Sequence, residues 1–94
     1  MITRIVKMTI ESSETHRFEK LFKGSVEHIR VYEGCIDVQL MKDVNKGNVY
    51  FTLSKWSNET ALDNYRASAF FKLTWSKVKP LFAEKAEAWS LRNT

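Results

Sequence analysis

Apolar positions along the chain change period several times, and each change predicts an element. From Met1 to Ile10 the residues alternate or run apolar in a mixture of Ile, Val and Thr, which predicts a first strand. Glu11, Ser12 and Ser13 then read as a turn and helix N-cap. Phe18, Leu21, Phe22, Val26 and Ile29 recur at three- and four-residue intervals with charged residues between them, the pattern of an amphipathic helix. Tyr32, Glu33 and Gly34 end it. Cys35 to Met41 alternates as a second strand, with Ile36, Val38 and Leu40 on one face and Cys35, Asp37, Gln39 and Met41 on the other. The polar connection Asp43 to Asn48 has hairpin length, and Val49 to Trp56 resumes strand chemistry.

Ser57 or Asn58 caps the next helix, with Glu59 in its first turn and Ala61, Leu62 and Tyr65 as its apolar stripe. A further helical pattern, Phe71, Thr74, Trp75 and Val78, runs to Lys79, where Pro80 stops it. From about Lys85 to Arg92 the signals conflict: Ala86, Ala88 and Ser90 alternate with Glu87, Trp89 and Leu91 as in a strand, whereas the AEKAEA start favours helix. Read as a strand, this segment completes a β-α-β-β-α-β order. The expected fold is therefore α+β, a ferredoxin-like split βαβ with an antiparallel sheet and helices on one face. Residues 1–94 form a single domain, without repeats, low-complexity segments or linkers.

One strand complicates that picture. Val49, Phe51 and Leu53 occupy one face of the third strand, and Tyr50 and Trp56 the other. An apolar sheet face without helices needs another cover, so a second copy of the chain is expected to close over it. Composition agrees. Ninety-four residues, 44% hydrophobic, bury only about 60–65% of their unfolded surface, and three Trp, three Tyr and six Phe are a heavy aromatic load for so short a chain.

Charge and cysteine content exclude more than they propose. The formal net charge is +4, but Lys and Arg are interspersed with Asp and Glu, so no basic stripe for nucleic acid forms. No apolar run approaches the roughly 18 residues of a membrane span, and the N-terminus lacks a signal peptide's cleavage region; a soluble, cytoplasmic protein is expected. The lone Cys35 has no internal disulfide partner, which fits a reducing compartment and a structural thiol. Three glycines, at 24, 34 and 47, draw neither a P-loop nor a dinucleotide fingerprint, which removes nucleotide cofactors. His16 and His28 differ in helical phase and no Cys or carboxylate cluster joins them, so no metal site is expected. His28 lies beside the apolar stripe of the first helix, and reads either as a partly exposed surface histidine or as a base at a pocket. Tyr50, Thr52, Ser54, Trp56, Tyr65, Phe71 and Trp75 remain, an aromatic and hydroxyl-rich set that serves either as core or as pocket wall.

The segments EGCIDVQLMKD, NVYFTLSKW, WSNETALDNYRASAFF and EKAEAWSL together resemble the antibiotic biosynthesis monooxygenase (ABM) family over nearly the whole chain. The points of likeness are Gly34 and Cys35 at a strand start, a strand ending in Trp56, an acidic and Ala-Leu helix start, Tyr65, and the step from Ser68 to Phe71. The resemblance implies a homodimeric α+β barrel with a pocket between each sheet and its helices. Some members oxidise polycyclic phenols or quinols with molecular oxygen and no metal, flavin or haem, others degrade haem, and many have no known reaction.

Carried onto this chain, the resemblance implies a cofactor-independent monooxygenase for a small aromatic compound. Trp56, Tyr65, Phe71 and Trp75 would bind the ring, Arg66 or Lys7 would stabilise a phenolate, and His28 would accept the proton. A non-catalytic ligand-binding or stress-response domain on the same scaffold is the alternative. The asparagine of the polyketide-oxidising branch has no assigned counterpart here. For the haem-degrading branch, Lys7, Tyr65 and Trp75 stand at the positions of its asparagine, tryptophan and iron-ligating histidine, so haem ligation lacks its axial residue.

Overall fold

The structure is a computed structural model that describes residues 1–94. Its order is β1 (Ile2–Thr9), α1 (Thr15–Arg30), β2 (Cys35–Lys42), β3 (Val49–Trp56), α2 (Glu59–Arg66), α3 (Ala69–Val78) and β4 (Glu87–Arg92), with short 3-10 helices at Ser12–Glu14 and Lys79–Leu81. The strands form one antiparallel sheet in the order β2-β3-β1-β4, and the fold is the expected ferredoxin-like α+β arrangement. No helix is long and apolar enough to cross a membrane.

Local chemistry sets the element ends. The Asn58 side chain accepts the Ala61 backbone N–H at 2.8 Å and starts α2. Two residues after α2 ends, the Ser68 hydroxyl donates to the Tyr65 carbonyl at 2.6 Å and accepts the Phe71 N–H at 3.1 Å. One side chain thus closes α2, opens α3, and fixes Tyr65 relative to Phe71. In the β2–β3 hairpin, Asp43 Oδ1 accepts the backbone N–H groups of Asn45 and Lys46 at 2.8 and 2.9 Å. The expected cap at Ser12 or Ser13 does not form: these residues lie in the first 3-10 turn, and α1 begins at Thr15 without a side-chain cap.

The conflicted C-terminal segment is a strand. Glu87 to Arg92 pairs with Lys7 to Ile2, so long-range pairing to β1 overrides the helical preference of AEKAEA. A second difference lies at the start of β2, where the register shifts between Cys35 and Asp37. This bulge leaves Ile36 exposed and turns Cys35 toward Trp56, the reverse of simple alternation.

Direct pairing puts Ile2, Arg4, Val6 and Met8 of β1 on the same face as Trp56, Ser54, Thr52 and Tyr50 of β3. This face meets the helices. The core beneath it divides into two clusters: Ile2, Ile29, Val38, Trp56, Leu62 and Tyr65 at one end, and Met8, Ile10, Phe18, Tyr50, Val78 and Leu81 at the other. The opposite sheet face carries Ile5, Phe51, Leu53, Met41, Trp89 and Leu91, with no element of the chain over it. There Met41, Trp89 and Leu91 are 45%, 43% and 47% exposed.

Candidate functional site

Protein interiors ordinarily leave few voids larger than a water molecule. Here small side chains, Thr52, Ser54 and Ala88 on the sheet and Ala86 just before β4, face large ones on the helices, and a cavity of about 340 Å³ opens between the two core clusters. Trp56, Tyr65, Phe71 and Trp75 wall it on one side, and Phe18 and Phe22 of α1 line it as well. The size suits a ligand of two or three fused rings at the lower end of small-molecule pockets.

The walls form a connected aromatic row. Trp56 stacks on Tyr65 with ring centres 4.9 Å apart, Tyr65 meets Phe71 edge-on at 5.2 Å, and Phe71 lies parallel to Trp75 at 5.9 Å. Phe82 closes the row edge-on against Trp75 at 5.5 Å. Such pairs contribute about 0.5–1.5 kcal/mol each beyond burial. Trp56 is fully buried, and its indole N–H donates to Ser54 Oγ at 3.0 Å, which satisfies the polar tip inside the core. Burial, with smaller effects of Cys35 and Tyr32, pushes the Tyr65 hydroxyl up to about 12, so it stays a neutral donor at physiological pH.

Two cations reach this cavity, Arg66 at the end of α2 and Arg4 in the middle of β1. Arg4 is a residue that pattern reading missed. It shares a face with Ile2, Val6 and Met8, and its Nη1 donates to Ser90 Oγ on β4 at 2.9 Å. Burial first, and then the like charge of Arg66, pull the Arg4 guanidinium below its ordinary value. It remains charged.

The structure brings Trp56, Tyr65, Phe71, Trp75 and Arg66 together, but neither Lys7 nor His28 joins them. Lys7 lies opposite Phe51 on β3 and Glu87 on β4, which puts it on the open sheet face. His28 is exposed, and its ring packs at 5.2 Å against Phe70 on the outer side of α1 and α3. The reason is helical phase: Phe18, Phe22 and Ile29 face the cavity, and His28 is turned about 100° from Ile29. No His, Asp, Glu, Lys or Cys lines the cavity. Nowhere do three or more His, Cys, Asp or Glu side chains gather in a way that could hold a metal ion. Cys35 is half-buried at the edge of the core, where burial and then Asp37 push its thiol pKa up, as suits a structural thiol.

Solved structures with the same fold are numerous. A conserved protein from Methanosarcina mazei Go1 superposes with a TM-score of 0.93 at 23% identity, covering 100% of this chain and 94% of its own. The crystal structure of an antibiotic biosynthesis monooxygenase gives 0.93 at 17% identity, covering 100% and 99%. A mutant of SnoaB, a cofactor-independent oxygenase from Streptomyces nogalater, gives 0.87 at 17%, covering 98% and 91%. At these identities the likeness establishes the fold. No curated protein matches the sequence significantly. The family model for antibiotic biosynthesis monooxygenases matches residues 1–74, which takes in β1 through most of α3 and every cavity aromatic but Trp75. The chain belongs to the antibiotic biosynthesis monooxygenase family.

Proposed function

We propose that the protein is a cofactor-independent monooxygenase that oxidises a small aromatic compound of the quinol or anthrone kind with molecular oxygen. The observation that carries this reading is the aromatic-walled cavity between sheet and helices, with two guanidinium groups as its only charged lining. Membership of the family and the occurrence of a cofactor-independent oxygenase on the same fold support it.

A substrate of this kind supplies its own electrons. An anthrone loses a proton from its central carbon, the carbanion passes an electron to oxygen, and the resulting radicals combine as a hydroperoxide. Loss of water then leaves a carbonyl, so that CH2 and O2 become C=O and H2O. The protein's part is to hold the rings flat against Trp56, Tyr65, Phe71 and Trp75 and stabilise the anion with Arg66 and Arg4. With no imidazole or carboxylate in the lining, the proton leaves to water, driven by the lowered pKa of a substrate bound beside two cations. His28 and Lys7, placed outside the cavity, take no part in this scheme.

The working unit in this reading is a homodimer, with a second copy covering Ile5, Phe51, Leu53, Trp89 and Leu91 on the open sheet face. Oxygen uptake with a panel of quinols and anthrones tests the reaction. Uptake above the uncatalysed rate, lost on Arg66→Gln, supports it. Tight binding of the panel without any uptake would instead favour the reading as a non-catalytic binding domain, which the absence of a proton-accepting side chain in the cavity also suits.

A further inference from the structure

The chain has five arginines, and the structure divides them sharply. Arg17, Arg30 and Arg92 each pair with a glutamate, Glu14, Glu27 and Glu59, at 3.1 to 3.5 Å. Arg4 and Arg66 have no carboxylate partner, and they are the two that line the cavity. Arg4 is half-buried and Arg66 exposed, so with no carboxylate of the chain against either, both guanidiniums are free to meet an anion that enters the cavity.

We propose that Arg4 and Arg66 form an anion subsite, and that the ligand is an aromatic compound that carries an ionised oxygen group, carboxylate or phenolate, directed to these two residues. The aromatic half of this assignment rests on the function proposed above; the charged half rests on the arginines alone. Arg4 is braced for the role. Its Nη1 is held by Ser90 Oγ at 2.9 Å, while Ser54 and Ser90, its pairing partners on either side, add no negative charge. The remaining guanidinium N–H groups are free to meet an oxygen anion in the two-pronged geometry that arginine favours. Arg66 comes from the end of α2 and Arg4 from β1, so an anion that meets both is held from two elements. Burial first, and then the like charge of Arg66, lower Arg4; an anion that meets both guanidiniums is attracted by each and offsets their repulsion. A neutral ring of the same shape gains the walls but not this contact.

Binding of 2-naphthoate and of its neutral methyl ester to the full chain, followed by tryptophan fluorescence, reads the subsite directly. The expected result is naphthoate bound about 10-fold or more tighter than the ester at low salt, since hydrogen bonds to charged groups carry roughly that much. Arg4→Gln and Arg66→Gln should each lower naphthoate affinity by about 10-fold and leave the ester unchanged. Ester binding thus serves as the check that each variant has kept its cavity. A second probe, 4-nitro-1-naphthol, distinguishes phenolate from carboxylate: its visible absorption should show an apparent pKa lowered by about one unit or more on binding, and not in either variant. Equal binding of naphthoate and ester, a preference that survives both substitutions, or no binding of any probe overturns the subsite. Oxygen uptake that fails while the charge preference holds counts against the monooxygenase reading alone.

Discussion

Trp56 and Tyr65 stack with ring centres 4.9 Å apart, one ring from the last residue of β3 and the other from the penultimate residue of α2. The pair ties the sheet to the helices and is at the same time a wall of the cavity. Trp56→Phe keeps an aromatic ring in the slot but loses the bond to Ser54, and should cost about 1–2 kcal/mol of stability. The smaller ring should weaken binding of a planar phenol, by no more than the roughly 2- to 12-fold that one whole aromatic pair is worth. Tyr65→Phe should fold as well as the parent, with a smaller effect on binding. Thermal melts and fluorescence titration measure the two effects; unchanged binding in both variants would place the ligand elsewhere.

The open sheet face leads to a test of assembly. Scattering should return the mass of two chains at micromolar concentration, and Trp89→Glu, in an edge strand with its ring 43% exposed, should give one. A stable monomer in the parent protein would remove the dimeric barrel.

How far these elements were legible depended on whether the deciding interaction was local. Helix caps and stripes are local, and Asn58, Ser68, Phe18 and Leu62 behave as their spacing predicts. β4 was ambiguous because pairing to β1, 80 to 90 residues away in sequence, decides it. The Cys35 and Ile36 faces were inverted because alternation carries no sign of a bulge. Among the site residues the aromatics were legible, since their polar tips and their position at the β3–α2 junction marked them. Arg4 and Lys7 were not. In a strand apolar on both faces, parity tells that residues 4 and 7 point oppositely, but not which of them points in.

The same geometry bears on haem. Trp75 stands in the cavity wall stacked on Phe71, and no histidine lines the cavity. Added haemin should therefore give a Soret band like that of haemin held loosely, without a ligated spectrum. A sharp ligated spectrum that persists in His16→Ala and His28→Ala would show that another residue serves as the axial ligand.

Acid stability should depend on Glu19. The Tyr50 hydroxyl donates to Glu19 Oε2, Lys42 Nζ lies 2.9 Å from the same oxygen, and together they hold this carboxyl below its ordinary value. The unfolded chain then binds more protons than the folded one below the ordinary carboxylate range. This contribution is complete above that range and is lost as pH falls through the folded value. Asp43, lowered by the N–H groups of Asn45 and Lys46, acts in the same direction. Urea midpoints between neutral and acid pH should fall more steeply for the parent than for Glu19→Gln. Parallel curves would show that the Glu19 network adds nothing to folding.

Gly34 and Gly24 should respond to alanine with opposite signs. Gly34 has φ of 85°, and a Cβ built on it would lie 2.3 Å from the Ala61 Cβ on α2. Its carbonyl also accepts the Ser57 N–H at 2.8 Å, so the turn that starts β2 is bound to the turn that ends β3 and cannot move away freely. The left-handed backbone and the clash together should make Gly34→Ala about 2–4 kcal/mol less stable, loosening α2 and with it Tyr65 and Arg66. Gly24 lies inside α1, where an added Cβ would have no atom within 4 Å, so Gly24→Ala should add about 0.5–1 kcal/mol through helix propensity. Paired denaturation curves read both changes. If Gly34→Ala melts with the parent, the close approach of β2 to α2 does not exist in solution, and the placement of the cavity's helical wall fails with it.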